Sequence, residues 1–276
     1  MKRIFAQVDV FGATECGGNP LAVVLGCEGL STEKMQHFAN WTNLSETTFI
    51  FPPMTTDAHY RVRIFTPVEE LPFAGHPTLG TCHAWLSQQP NEVSSLHTIV
   101  QECGIGLVTI RKVPTGLAFR APPLSRSESL TSDHLSRLVR QLGLRRSEVV
   151  DARRLDNGVS WVAVLLRDAD AVLRLTPDSI DEKIGVIGSY LMDSPEEFEV
   201  RAFFPKGRSV QEDPVTGSLN ASLAQWLLDT QRVSAPYLVK QGTMLGRTGR
   251  VYVTVHDDHV WIGGSTRTLI DGFVGI

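Results

Sequence analysis

The residues best suited to chemistry sit at two turn-to-helix junctions. One is Ala74-Gly75-His76-Pro77-Thr78, the other Glu212-Asp213-Pro214-Val215-Thr216-Gly217-Ser218. A helix N-terminus presents unpaired N–H groups and a partial positive charge, so it can hold a carboxylate or steady a developing enolate. Gly75 and Gly217 would let a ligand come close to the backbone. His76 at a helix start is expected to have a lowered pKa and stay neutral, which suits a hydrogen-bond donor or proton relay. Asp213 could cap its own helix or face a ligand, and the two roles are compatible. In Asn43-Leu44-Ser45-Glu46-Thr47, Glu46 just precedes an apolar strand and is a candidate general acid/base, although this segment alone reads more readily as a solvated loop. Each junction alone would also pass for a plain Gly-Pro turn.

What lifts the junctions above that reading is that they recur. Val62 to Pro67 reads V-R-I-F-T-P and Val200 to Pro205 reads V-R-A-F-F-P. Each run leads into its junction, and each junction opens an apolar stretch ending in Trp-Leu, at Trp85-Leu86 and Trp226-Leu227. The offset is 138 residues at Arg63/Arg201 and 137 at His76/Asp213, half of the 276-residue chain. A period that long indicates a duplicated domain rather than a solenoid. Two like domains facing each other would aim both junctions at one cleft.

The positioning elements follow from pattern. Ile4–Phe11, Leu21–Leu25, Thr47–Phe51, Tyr60–Thr66, Thr98–Gln101 and Gly106–Lys112 read as strands of the first half. Ser31 or Thr32 starts a helix carrying Met35, Phe38 and Ala39, and Thr78–Leu86 reads as a second. In the second half Ser132-Asp133-His134 is expected to cap a helix to about Leu142, and Thr176-Pro177-Asp178 to start another. Val159–Leu166 and Phe198–Phe204 read as strands and Leu219–Leu228 as a helix. Val251–Val255 and His259–Gly263 should form a hairpin around Asp257-Asp258. Strand-rich halves, each holding one nearly uncharged helix, imply an α+β fold in which a sheet wraps the helix. The expected division is 1–117, with the tail 268–276 a candidate to return to it, and 118–267.

Composition is that of a globular protein, 42% hydrophobic and 20% charged, with net charge −4 and no basic run. Nucleic acid and membrane are therefore not expected as partners. Asp9 interrupts any apolar run after Lys2-Arg3, so no signal peptide is expected. Cys16, Cys27, Cys82 and Cys103 lack metal-like spacing and read as reduced thiols of a cytoplasmic protein. There is no Walker A loop, no G-x-G-x-x-G after a strand, no H-x-x-x-H or C-x-x-C pair and no G-x-S-x-G elbow. A mechanism with no cofactor and no metal is the simplest reading.

Five ordered stretches together resemble the PhzF family of phenazine-biosynthesis-like isomerases. They are Asp9-Val10-Phe11 with Gly18-Asn19-Pro20-Leu21-Ala22; Asn43-Leu44-Ser45-Glu46-Thr47; Glu70-Leu71-Pro72-Phe73-Ala74-Gly75-His76-Pro77-Thr78; Glu212 to Ser218; and Gln241-Gly242 with Gly246-Arg247. The resemblance implies a diaminopimelate-epimerase-like fold of two pseudo-symmetric halves, each a curled sheet around a central helix, with the active site in the cleft between them. It implies a homodimer that acts without a cofactor on a small carboxylate, dihydro-3-hydroxyanthranilate-like or amino-acid-like. By the same resemblance Glu46 is the acid/base, with His76 and Asp213 as its catalytic companions. Ser45, Gly75, Gly217, Ser218 and Asn19 are the implied substrate-binding residues. Related epimerases and racemases use two thiols, one at each junction. Here the junctions carry His76 and Asp213, Cys82 lies further along its helix, and the second half has no cysteine. Two alternatives stay open: an epimerase acting on an amino-acid derivative, and a small-molecule binding protein without turnover. Asn19, Trp41, Phe65, Pro67 and Asn220 are candidates to line the pocket.

Overall fold

The computed structural model describes residues 1–276 except 192 and 208. The chain forms two compact units, Met1–Arg120 with Gly263–Ile276, and Ala121–Ile262. In the first unit the strand Lys2–Val10 lies between Thr266–Gly275 and Asn19–Leu25, antiparallel to both. The sheet continues through Glu46–Phe51 (parallel), Tyr60–Phe65 (antiparallel), Thr98–Cys103 (parallel), Gly106–Val113 and Gly116–Arg120 (both antiparallel). The C-terminal strand thus returns to the first unit beside the N-terminal one.

The second unit repeats this order of directions. Val149–Asp156 lies antiparallel to Arg126–Ser129 and to Ser160–Leu166. The sheet then passes to Ile184–Ser189 (parallel), Phe198–Lys206 (antiparallel), Tyr237–Gln241 (parallel) and Gly249–His256 (antiparallel). The duplication seen in two sequence runs therefore extends to the pairing of every central strand.

Each sheet curls around one helix. Gly75–Leu86 has ten buried residues and packs on strands from both ends and the middle of its sheet. Gly217–Asp229 likewise buries ten residues, Leu219, Leu223, Trp226 and Leu227 among them. A helix apolar on all sides is stable only when covered on most sides, and the wrapped sheet covers it. The outer sheet faces are closed by smaller elements. Thr32–Thr42 packs Met35 and Ala39 with Phe49 and Phe65, and Ser132–Gln141 packs Leu138 and Val139 with Val162 and Ile184.

Three expectations need correction. The first central helix starts at Gly75 rather than Thr78, because Pro77 occupies its first turn, where a missing N–H is tolerated. The helix expected from Ser132 is capped one residue earlier: Thr131 takes the cap, its hydroxyl accepting from His134 N at 3.3 Å. No helix starts at Thr176-Pro177-Asp178. The helix there is Ala169–Leu173, capped by Asp168, which accepts from Ala171 N at 2.7 Å, and the following segment buries Leu175 and Ile180 instead. Ser31 is the cap of the Thr32 helix, and Asp257 and Asp258 both take positive φ between the strands they join.

Candidate active site

Glu46 is placed by the end of a helix. Thr32–Thr42 stops at Asn43, whose left-handed backbone (φ 54°) turns the chain toward the strand that Glu46 begins. The Thr42 and Thr47 hydroxyls, 3.0 Å apart, tie helix end to strand start. One residue further along, Thr48 Oγ1 accepts from Thr81 Oγ1 at 2.9 Å, which fixes this strand to the helix that carries His76. His76 occupies the first turn of that helix and is almost fully buried.

The structure brings these two residues together: His76 Nε2 stands 3.3 Å from Glu46 Oε2. On the other side of the ring, the Asn19 amide nitrogen is 3.3 Å from His76 Nδ1. If Asn19 donates there, Nδ1 is the acceptor and the ring proton sits on Nε2, facing the Glu46 carboxylate. Asn19 is placed by a close turn: Gly18 donates its N–H to Asp9 Oδ1 at 2.9 Å, and a Cβ at Gly18 would lie 2.1 Å from Val10 O. Only glycine fits there.

Burial pushes the His76 pKa down to about 3, so the ring is neutral at ordinary pH. Sequence reasoning had the direction right, but burial is the cause found here. The Glu46–His76 contact is thus a neutral imidazole beside a carboxylate rather than an ion pair.

Asp213 ends the strand Ser209–Asp213 in the second unit, where it pairs with Ala202. The helix cap is Thr216, and Thr216 Oγ1 donates to Asp213 Oδ2 at 2.6 Å. Gly217 and Ser218 form the first helical positions, Ser218 is nearly buried, and its carbonyl accepts from Asn157 Nδ2 at 3.0 Å. Gly75 holds the matching first position of the other helix, and Ser45 directly precedes Glu46, half-buried.

Among the remaining candidates, Phe65 is fully buried against Phe49 and Asn220 is held in hydrogen bonds, whereas Trp41 is 80% exposed and stacks on Phe38. Gln241 was singled out in the sequence only as part of a motif, yet it is the hub of the polar groups around Asp213. Its signal was a glutamine ending a strand just before Gly242. A cavity of about 450 Å³ in the first unit, lined by His83, Leu86, Lys112, Leu117 and Thr266, contains none of the predicted site residues.

All four cysteines are free. Cys82 is fully buried and burial pushes its pKa up to about 12, so it is a poor proton donor or acceptor at neutral pH. Among the described residues no group of three or more His, Cys, Asp or Glu could hold a metal ion, and no helix is long and apolar enough to cross a membrane.

The first unit is thus a curled α+β sheet that sets a carboxylate against a neutral imidazole at a helix start. The model of the family described as phenazine biosynthesis-like protein (PhzC-PhzF) matches residues 8–272, and the chain belongs to that family. Antisense-enhancing sequence 1 of Schizosaccharomyces pombe is 35% identical, with 97% of each chain covered. The trans-2,3-dihydro-3-hydroxyanthranilate isomerase of Pseudomonas aeruginosa is 33% identical, covering 90% of this chain and 88% of that one. The crystal structure of the Bacillus anthracis phenazine biosynthesis protein, PhzF family, superposes with a TM-score of 0.82 at 22% identity over the whole of both chains.

Proposed function

We propose that this isomerase moves a proton between carbons of a small cyclic carboxylate, with Glu46 as the acid/base. Trans-2,3-dihydro-3-hydroxyanthranilate, the compound in the name of the Pseudomonas relative, is the first candidate substrate. The observation that carries this reading is Glu46 Oε2 held 3.3 Å from the imidazole of a neutral His76.

In the forward step the Glu46 carboxylate takes a proton from a ring C–H. The electrons of that bond enter the ring's double-bond system, and the carboxyl returns the proton to another ring carbon. One C–H bond breaks and one forms, so the reaction consumes neither oxidant nor reductant. A free glutamate, with a pKa of ~4.3, is a weak base toward carbon. Substrate that excludes water from Glu46 strengthens it, and the neutral His76 ring beside it adds no positive charge to weaken it. In the second unit Asp213 and Ser218 are the matching polar groups, and the N–H groups at the Gly217 helix start suit a carboxylate. Asn19, Ser45 and Gly75 complete the binding set.

The test is proton NMR in D₂O with trans-2,3-dihydro-3-hydroxyanthranilate and a panel of amino-acid carboxylates, wild type beside Glu46→Gln. Double-bond migration with Glu46-dependent deuterium entry supports the proposal. Deuterium at a stereocentre without migration would replace it by an epimerase, and binding without exchange by a binding protein.

A further inference from the structure

We infer that Gln241 is a positioning residue for Asp213, acting through the hydroxyl of Thr216. The inference rests on the proposed role of Asp213 only for its bearing on turnover, since the hydrogen bonds stand independently of that role.

Gln241 is fully buried at the end of the strand Tyr237–Gln241, and both ends of its amide are engaged. One side-chain atom lies 3.0 Å from Thr216 N and 2.9 Å from Asn220 Nδ2. A backbone N–H can only donate, so this atom is the amide oxygen and the orientation of the side chain is settled. The other atom is therefore the nitrogen, which only donates. It lies 3.0 Å from Thr216 Oγ1 and 3.3 Å from Asp213 O. Thr216 Oγ1 accepts this bond and has a single proton to give, and Asp213 Oδ2 lies 2.6 Å away, the usual length of an O–H···O⁻ bond. The direction of each link follows from the one before it: amide to hydroxyl, hydroxyl to carboxylate.

Two consequences follow for the carboxyl group. Its rotamer is held by a hydroxyl of its own turn, and that hydroxyl is in turn anchored by an amide from a neighbouring strand. Its Oδ2 is held as an acceptor, so a proton carried by Asp213 resides on Oδ1. The turn after Gln241 supports the arrangement. Gly242 has φ +91°, and a Cβ there would lie 2.7 Å from Pro214 O, next to Asp213. The charged groups on the surrounding elements include Glu212, bridged to Arg201, the buried Glu199 on the strand Phe198–Lys206, Arg250 bridged to Glu196, and Lys240 and Arg247. The substitutions below leave all of them in place.

The experiment is a ¹³C NMR titration of the Asp213 carboxyl carbon in the free protein, with a thermal melt of each variant. Thr216→Val removes the hydroxyl while keeping the shape. It should raise the Asp213 midpoint by at least ~0.5 pH unit, because a donor to the charged form is lost. Thr216→Ser keeps the hydroxyl and should stay within ~0.2 unit of wild type. Gln241→Leu should move the midpoint in the same direction as Thr216→Val and add little in the double variant, the sign of two residues acting through one path. Titrations that superimpose on wild type while melting temperatures fall would overturn the inference and leave Gln241 purely structural. If Gln241→Leu does not fold, the two Thr216 variants decide. Separately, an active Asp213→Asn would remove Asp213 from the reaction and leave the relay intact.

Discussion

Arg63 and Arg201 stand at equivalent places in the two units, and each forks onto a glutamate just ahead of a central helix. Arg63 holds Glu70 at 2.7 and 2.6 Å, and Arg201 holds Glu212 at 3.0 and 2.7 Å. Asn19 and Asn157 are likewise 138 residues apart, and each reaches the second residue of its helix, His76 by the ring and Ser218 by the carbonyl. The acid/base candidate is not repeated. Phe65 pairs with Thr47 and Phe203 with Ile184, so the position of Glu46 is matched by Lys183, whose ammonium lies 5.7 Å from the Phe204 ring. The duplicated frame places one helix start in each unit, and the polar groups around the two differ. The first carries a carboxylate against a neutral imidazole, the second an aspartate held by a hydroxyl and a buried amide.

The arginine pairs give the largest expected difference between the units. Arg201 is buried and also donates to the carbonyls of Val172 and Leu175, whereas the Arg63–Glu70 pair is partly exposed. Arg201→Ala should cost about 3–5 kcal/mol because it leaves a buried carboxylate unpaired. Arg63→Ala should cost about 0–1 kcal/mol, since solvent screens that pair. Urea unfolding of both variants checks this, and equal losses would mean the two bridges are not different in kind.

A smaller effect separates the junctions by pH. The His76 pKa falls from 6.5 in the unfolded chain to about 3 in the fold, so between those values the unfolded chain binds more protons. The corresponding stability is complete above 6.5 and is lost as pH falls toward 3. His76→Asn should flatten this part of the stability profile, as read from urea midpoints between pH 7 and 4, while Ser218→Ala at the other junction should leave its slope unchanged. The smallest effect is expected at Cys82. Cys82→Ala should cost about 1 kcal/mol and leave turnover within a few-fold of wild type, because a buried thiol at about 12 takes no part in proton transfer. A large loss of turnover with the fold intact would bring a thiol mechanism back.

Much of this was legible in the sequence. The repeated V-R-x-F-x-P runs and Trp-Leu helix ends announced the duplication, and the alternating and apolar runs gave most strands. The Thr176 helix misled because Thr-Pro-Asp is a good start signal wherever it stands, whereas the segment there is irregular chain that buries Leu175 and Ile180. Glu46 and His76 were legible as candidates, but their contact was not, since it depends on the parallel pairing of Leu21 with Glu46. Gln241 was the least visible. A buried amide bonded to residues 21 to 28 positions away leaves no local pattern to read.

Glu46, the unduplicated carboxylate beside the first junction, is the group proposed to move the proton. Its most direct test is the rate of solvent deuterium entry into trans-2,3-dihydro-3-hydroxyanthranilate with Glu46→Gln and wild-type protein at matched substrate occupancy. Glu46→Gln should lose about 10²–10⁴-fold in exchange rate with affinity changed only a few-fold. Exchange at the wild-type rate in Glu46→Gln would contradict it.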